Sequence, residues 1–538
     1  MRLWTSFQRR AFFSIVSLGL VLRAYTLVSQ PFWSDEWYYM KMVTQRTLFQ
    51  DMLMPLVTDL YPPFFFLCTW FSTRFGTSLW ELRFFSFAGG VASVALVYII
   101  ARRWGGTRAA IYAGLLAALS PMGVYYSQEF KLYSFLSAMN LWVLYEALRS
   151  LEGPKLRWKR LALATALSMY TYYLTPYLLF PLVLAALIFW KRGPKAQGAA
   201  ALKGMGVGLL WSLPLFPFFV KTVMTFSAQF FDIGKHWLLW YSAQNYSTGF
   251  IAPQALAEAA ALLFMAMILL NLRRRGAQAW AVAVIVAFAV LPSVLQFVQA
   301  ELLKPSYSDR AMLGAAYAWA LAAGLGLATV DAWLAGLLLA VALSINAYSL
   351  SLHYDPATRS RYDFQAAYEA LRVDWRPGDA VIHDDQQSLF PFNYQERQDH
   401  SGMISYEKTD DPGFPYNEAM QGGRRYWRLV NAWLKAHDWG IDSGIDPYRV
   451  FGDRLKDVAV GDAQRLWYVV PSVPVLSRAW NPMLNLWRNH AVSNQPFDPL
   501  KEAWLPQMGF HFVSKHELSP GIDVYLFERK PLSKPKHA

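Results

Sequence analysis

The sequence predicts a polytopic α-helical membrane protein that ends in a soluble α/β domain. Three observations carry that expectation. The 538 residues are 55% hydrophobic and only 16% charged, whereas soluble domains average about 25% charged. Many apolar runs approach or reach the roughly 20 residues that a helix needs to cross the hydrocarbon core. The composition then changes near His353, beyond which charged and polar residues reach soluble density and no spanning run follows. The expected division is 1–352 for the membrane domain and 353–538 for an outer-face domain.

About eleven spans are expected: Ala11–Val28, Leu82–Ala101, Ala109–Tyr126, Leu132–Leu148, Leu161–Leu174, Tyr177–Trp190, Gly204–Val220, Pro253–Leu270, Ala279–Val298, Ala311–Val330 and Trp333–Ser351. If these alternate, five basic clusters fall on one side: Arg9/Arg10, Arg102/Arg103/Arg108, Arg149 to Arg160, Lys191/Arg192/Lys195 and Arg273–Arg275. Lys and Arg mark the cytoplasmic face, so the N-terminus is expected inside and the C-terminal domain outside, at an inner (plasma) membrane. The count requires that Pro62–Phe75, opened by Tyr61-Pro-Pro63 and interrupted by Arg74 and Gly76, lie in the outer interface without crossing. No small-x-small site follows the first run, so it reads as an uncleaved span. Leu161–Leu174 and Tyr177–Trp190 are short and separated by Pro176, and Pro214 and Pro217 should kink Gly204–Val220.

In the tail, Asp379–His383 reads as a strand after the turn Arg376-Pro-Gly378, with Arg465–Val470 and Val524–Glu528 as two more. Phe364–Leu371 and Arg424–Ala436 space their apolar residues as helices do. Lys530–Ala538 is expected to fray.

The formal charge of +13 does not imply nucleic-acid binding, because much of it sits in short clusters between apolar runs, where membrane orientation explains it. One cysteine, Cys68, excludes an internal disulfide and a thiolate metal cage. His383-Asp384-Asp385 is a weak cation signal. The sequence has no glycine-rich phosphate loop after a strand, no nucleophilic-serine elbow and no His-Glu-x-x-His helix.

Chemistry is expected in three outer segments. Gln30–Tyr39 sets Asp35 and Glu36 among Trp33, Trp37, Tyr38 and Tyr39 just after the first span. Interfacial aromatics are ordinary, but carboxylates beside hydrocarbon persist where they line a cavity or act on something. A general base is the functional reading of one of them, and a solvated pair at a helix start is the other. Successive helix residues face different directions, so only one should meet the chemistry. Pro121–Tyr133 carries Glu129, Lys131 and Tyr133. Glu129 and Lys131 either pair locally or face Asp35 across a cavity, with Lys131 supplying charge to a phosphate. Lys304–Arg310 ends in Arg310, either a headgroup anchor or a fork for a lipid phosphate. Tyr170-Thr-Tyr-Tyr173 can add hydroxyls to the same rim.

Taken in order, these segments resemble the polytopic GT-C glycosyltransferases, specifically the protein O-mannosyltransferase and aminoarabinose-transferase superfamily in its bacterial form. The likeness covers roughly residues 10–350. It rests on Trp33-Ser-Asp-Glu36, Tyr61-Pro-Pro63, Glu81-Leu-Arg-Phe-Phe-Ser86 before a span ending Arg102-Arg103, Pro121 through Tyr133, and Asp309-Arg310. The resemblance implies the GT-C fold and transfer of a sugar from a polyprenyl-phosphate donor to a lipid, glycan or protein acceptor on the non-cytoplasmic face. Asp35 would be the base of a metal-independent inverting reaction, and Glu129 would order acceptor or base. Lys131 and Arg310 would hold the donor phosphate, with Glu36, Tyr133 and Tyr172 as further substrate-binding residues. No cofactor is implied, and a divalent cation stays open. The sequence departs from the family at Lys131, where arginine is usual, at Tyr172, where many relatives carry histidine, and at Ala311, where tyrosine is common. The alternative reading is a non-enzymatic transporter or binder of lipid-linked glycans, which would also show buried charge and broken helices.

Overall fold

The computed structural model describes residues 4–32, 36, 39, 61–153, 157–225, 237–276, 278–302, 307–356, 358, 361–383, 392, 405–409, 449–451, 463–471, 499–501, 504–519 and 522–529. The chain divides into two compact units. One comprises Met1–Ser29 and Met42–Arg359 with Ala479–Asn481; the other comprises Gln30–Lys41, Ser360–Arg478 and Pro482–Ala538. The main division therefore falls at residue 359 rather than 352. The stretch containing Asp35 and Glu36 groups with the C-terminal unit and not with the helices that flank it in sequence. Asp35 itself, the helix expected at Arg424–Ala436 and the tail Lys530–Ala538 lie outside the described residues.

The first unit is helical: α1 Ser6–Ala24, α2 Phe64–Ser72, α3 Leu79–Ala118, α4 Pro121–Ser127, α5 Tyr133–Glu152, α6 Trp158–Thr171, α7 Thr175–Arg192, α8 Lys195–Trp211, α9 Phe216–Thr225, α10 Leu238–Thr248, α11 Gln254–Leu269, α12 Ala279–Leu302, α13 Leu313–Leu327 and α14 Ala332–Tyr354. Among the described residues six helical segments are long and apolar enough to span a bilayer, and the pair Lys195–Trp211 and Leu213–Val220, bent by 45°, can make a seventh. This is a polytopic helical membrane protein with a soluble domain. The bend falls beside Pro214 and Pro217, as their missing donors and fixed φ require. The nine residues of α2 rise only about 14 Å, less than half the hydrocarbon core, so this helix is too short to cross.

Although α3 is 40 residues long, it reverses at Gly106 (φ 84°, ψ −175°), a backbone region essentially confined to glycine. Its contacts with α1 establish the reversal. Arg83 donates to the Leu27 carbonyl, Val94 lies against Gly19 and Tyr98 donates to the Gln8 carbonyl, so the first half runs antiparallel to α1. Gln8 then donates to Thr107, and Arg23 donates to the carbonyls of Ala117 and Ala118, so the second half runs parallel to it. The expected span Ala109–Tyr126 is correspondingly interrupted, because the chain turns at Leu119–Ser120 and restarts as α4.

The basic clusters gather at one end of this unit. Arg102 donates to Gln8, Arg103 pairs with Glu152 at 2.7 Å, Arg108 donates to the Val330 carbonyl, and Arg274 donates to the Trp104 and Leu325 carbonyls. Loops far apart in sequence thus share one face, as alternating crossings require.

The second unit holds a six-stranded sheet built from β1 Ala380–His383, β2 Ser405–Thr409, β3 Arg449–Phe451, β4 Arg465–Pro471, β5 Phe510–Ser519 and β6 Ile522–Arg529, in the order β3-β2-β1-β4-β6-β5. The first four strands are parallel; β6 runs antiparallel between β4 and β5. The period-two alternation of side chains gives it two apolar faces. Val381, Trp467, Val469, Val524 and Leu526 pack with Phe364, Ala367, Tyr368 and Leu371 of α15 Phe364–Asp374. Ile382, Leu466, Tyr468, Val470, Tyr525 and Phe527 pack on the other face with Leu505 and Phe510. The sequence indicated β1, β4, β6 and α15. It did not indicate β2, β3 or β5, whose residues Ser405-Tyr-Glu-Lys-Thr409 and His511–Ser519 lack an apolar run.

His383 ends β1 fully buried against Phe392, with ring centroids 4.7 Å apart. Burial lowers its pKa from 6.5 to about 3, so its neutral form is the one the sheet accommodates. The unfolded chain takes up a proton near pH 6.5 while the folded chain does not until about pH 3, so stability falls as pH drops through that window. Hydrogen exchange of β1 and β4 in the full chain should show a loss approaching ~1.4 kcal/mol per pH unit there. His383→Leu is expected to remove that slope.

Candidate functional site

The site is built on α3 and the segment Ser120–Tyr133. Ser120 caps α4 by accepting from the Gly123 N–H, with Pro121 at the first helical position. The helix stops at Gln128, and Lys131 closes a tight turn by donating its N–H to the Glu129 carbonyl at 2.7 Å. Ser86 of α3 donates to the Lys131 carbonyl at 2.7 Å and pins this turn. The turn can approach α3 because the sequence places Gly89-Gly90 there. A Cβ at Gly89 would lie 2.5 Å from the Phe135 Cα, and one at Gly90 would lie 1.9 Å from the Ser127 Oγ. Gln128 donates to the carbonyls of Arg23 and Tyr25 at the end of α1, and His353 of α14 lies 2.8 Å from its Oε1. The turn is therefore held from three helices.

Four of the expected residues meet here around tyrosine rings. The Lys131 Nζ lies 5.7 Å from the Tyr61 ring centroid, and the Arg310 guanidinium carbon lies 5.2 Å from that of Tyr133. The two hydroxyls are 3.4 Å apart. Tyr172 stacks on Tyr61 (5.6 Å, 23°) and stands edge-on to Tyr133 (6.2 Å, 89°). Tyr126 packs on Tyr133 from another side, within electrostatic reach of Glu129, Asp309 and Arg310. Glu129, Lys131 and Tyr133 are buried, while Arg310, Tyr61 and Tyr172 keep partial exposure. Cations over ring faces gain from the aromatic quadrupole.

Each member is fixed by its element. Tyr172 is the extended residue that ends α6, its N–H bonded to the Ser168 carbonyl, while the Ser168 hydroxyl donates to Asn140. Arg310 sits in a single 3₁₀ turn, Asp309–Met312, ahead of α13. The neighbouring Asp309 is buried and accepts from Asn245 Nδ2 and the Arg310 backbone N–H. Asn245 comes from α10, whose buried polar face also pairs Ser242 with Tyr307 and Tyr246 with Ser293, each at 2.7 Å.

The sequence offers no spanning run between Gly204–Val220 and Pro253–Leu270, so α10 is not apparent from it. Gln244-Asn-Tyr-Ser-Thr248, an amide-and-hydroxyl run, was the available signal. Tyr61 and Tyr126 are not recognisable as site residues from the sequence, because rings from distant segments reveal their grouping only when folded. Within the second unit, Glu36 is fully buried and paired with Arg361 at 3.8 Å. Its carboxylate thus has a protein partner, where the sequence reading expected a substrate ligand. Among the described residues no group of three or more His, Cys, Asp or Glu can hold a metal ion.

The whole chain superposes on ArnT from Cupriavidus metallidurans, in the apo state and bound to undecaprenyl phosphate. In both cases the TM-score is 0.52 at 15% identity, covering 96% of this chain and 97% of that one. The fold is that of a GT-C glycosyltransferase. Residues 61–218, which carry the site residues of the helical unit except those from α10 onward and the α1 contacts of Gln128, match the family model of dolichyl-phosphate-mannose-protein mannosyltransferases. The oligosaccharyltransferase of Archaeoglobus fulgidus in its apo form also matches, with a TM-score of 0.47 at 14% identity over 69% of this chain and 58% of that one. Compared with curated proteins by sequence, the chain has no significant match.

Asn245→Ala strips the buried Asp309 carboxylate of its side-chain donor. It is expected to cost about 1–3 kcal/mol of stability, read as a lowered thermal midpoint of the purified chain. Gly89→Ala overpacks α3 against the Phe135 backbone and is expected to cost a similar ~1–3 kcal/mol in the same assay.

Proposed function

We propose that the protein is an integral-membrane glycosyltransferase that moves a sugar from a polyprenyl-phosphate donor to an acceptor on the non-cytoplasmic face. The observation that supports it best is the pair of cations, Lys131 and Arg310, on the two rings Tyr61 and Tyr133, whose hydroxyls are 3.4 Å apart. A phosphate oxygen is the partner that two such cations and two hydroxyls suit. The cluster lies at the end of the helical unit opposite its basic loops. Tyr133 begins α5 and Tyr172 ends α6, while Glu152 and Arg157 stand at the other ends of those helices. With the basic loops cytoplasmic, the cluster faces outward and the N-terminus inward.

In this reading Asp35 takes the proton of the acceptor hydroxyl as its oxygen attacks the anomeric carbon. The bond from that carbon to the phosphate oxygen breaks, and the configuration inverts. The leaving polyprenyl phosphate carries the electron pair, and Lys131 and Arg310 stabilise its charge. Glu129 orders the acceptor or the base, and Tyr133 and Tyr172 shape the donor site. Protein cations supply the charge, so no metal or cofactor is required. Undecaprenyl phosphate bound to ArnT of the same fold supports the donor class.

In proteoliposomes offered a panel of undecaprenyl-phosphate sugars, the protein should consume at least one and release undecaprenyl phosphate, with a rate unchanged by EDTA. A non-enzymatic binder would retain the donor without turnover. Asp35→Asn should lower turnover at least 10³-fold while leaving undecaprenyl phosphate affinity intact, within the general-base range of about 10²–10⁴. Lys131→Ala and Arg310→Ala should each weaken that affinity about tenfold or more, the effect of losing some 1.4 kcal/mol or more.

A further inference from the structure

We infer that His353, in the last turn of α14, is a positioning residue that orients Glu129 and Lys131 by donating a hydrogen bond to Gln128, given the phosphate-binding role proposed above for Lys131. His353 and Gln128 are both buried and stand 225 residues apart in the sequence, and the imidazole Nε2 lies 2.8 Å from the Gln128 Oε1. The direction of this bond follows from the other half of the amide. The Gln128 Nε2 donates to the carbonyls of Arg23 and Tyr25, and an amide nitrogen has two hydrogens to give. Turning the amide over would set its oxygen against two carbonyl oxygens. The Oε1 therefore faces the imidazole as an acceptor, and the hydrogen between them belongs to the His353 Nε2.

The ring is itself held in place. Its centroid lies 5.6 Å from that of Tyr125 in α4 and 5.2 Å from that of Tyr354. Tyr354 in turn donates to the Leu22 carbonyl of α1 and stands edge-on to Tyr25 (4.9 Å, 87°). Gln128 caps the end of α4 and is joined directly to Glu129. The turn that follows closes through the Lys131 N–H on the Glu129 carbonyl, and Ser86 fixes its far end by donating to the Lys131 carbonyl. A turn this short, clasped at both ends, leaves little freedom for the Lys131 Nζ beside the Tyr61 ring. A buried amide oxygen that loses a donor is costly. Without His353 the near end of the turn shifts toward another donor, and Lys131 shifts with it.

The test uses the full-length protein in nanodiscs. Undecaprenyl phosphate affinity is measured for the wild type, His353→Ala, His353→Gln, Lys131→Ala and the double variant His353→Ala/Lys131→Ala. Hydrogen exchange of the backbone from Glu129 to Lys131 is followed in the wild type and the two His353 variants. His353→Ala is expected to weaken affinity at least fivefold and to speed exchange in the turn at least tenfold, while exchange in α5 stays within threefold. His353→Gln, which keeps an N–H donor on a side chain of similar reach, should bring both back to within threefold of the wild type. The double variant should match Lys131→Ala in affinity within twofold, because His353 acts through the lysine. Unchanged affinity or exchange in His353→Ala, a Gln variant no better than the Ala variant, or an equal further loss of affinity on the Lys131→Ala background would overturn the inference. If His353→Ala does not fold, His353→Met, which fills the space of the ring without a donor, takes its place by the same criteria. A wild-type protein that does not bind undecaprenyl phosphate defeats the proposed function instead, and the exchange comparison still decides whether His353 orients the turn.

Discussion

Charge inside a helical bundle must find a partner, because hydrocarbon offers none, and the polar architecture of the helical unit follows from that constraint. Arg23, in the last turn of α1, is the clearest case. It is fully buried, and its guanidinium donates to the carbonyls of Gly19, Ala117 and Ala118 and to the Tyr317 hydroxyl. One side chain thereby ties α1, the end of α3 and α13 together beside the segment that carries Glu129 and Lys131. Gln128 extends the tie by donating to the last carbonyls of α1 while meeting His353 of α14. Most of these bonds go to carbonyls at helix ends, where intrahelical donors run out, so closing the ends of the helices and building the floor of the candidate site go together.

The same constraint shapes the site. Lys131 and Arg310 carry positive charge on the side where basic residues are scarce, and each lies over a tyrosine ring. Ring faces lower the cost of such cations. The lysine at 131 carries its charge without the planar fork of an arginine. Tyr61, Tyr133 and Tyr172 surround the position with hydroxyls, which can fix an oxygen that a point charge would leave free to rotate. Asp309, held by Asn245, sets the turn from which Arg310 projects.

In the second unit the sheet is conventional in its core and specific at its edges. Strand alternation fills both faces with apolar side chains, and the polar residues near it are paired locally. Arg465 meets Asp379 at 3.6 Å, and Trp467 donates to the same carboxylate at 2.8 Å. The Glu36–Arg361 pair joins residues much further apart in the sequence than these. A contact between such distant segments has a large loop-closure cost; making it with charge rather than with two apolar side chains specifies which residues meet.

Apolar length, proline positions and the spacing of basic clusters already determined most of the long helices, the bend beside Pro214 and Pro217 and the gathering of Arg102, Arg103, Arg108 and Arg274 at one end, because hydrocarbon thickness and backbone donors act locally; α10 and the break at Leu119–Ser120 were not among them. The strands β1, β4 and β6 were legible for the same reason: their apolar residues are contiguous, whereas β2, β3 and β5 depend on neighbours for their apolar environment. Lys131, Tyr133, Tyr172 and Arg310 were expected to share a site only through the family resemblance, since no local pattern sets them side by side. Only the tertiary structure brought Tyr61 between them, gave Asp309 its partner on α10, and enclosed Glu36 with Arg361. These are contacts between segments tens to hundreds of residues apart, decided by the packing of helices and sheet, which no local pattern of residues encodes.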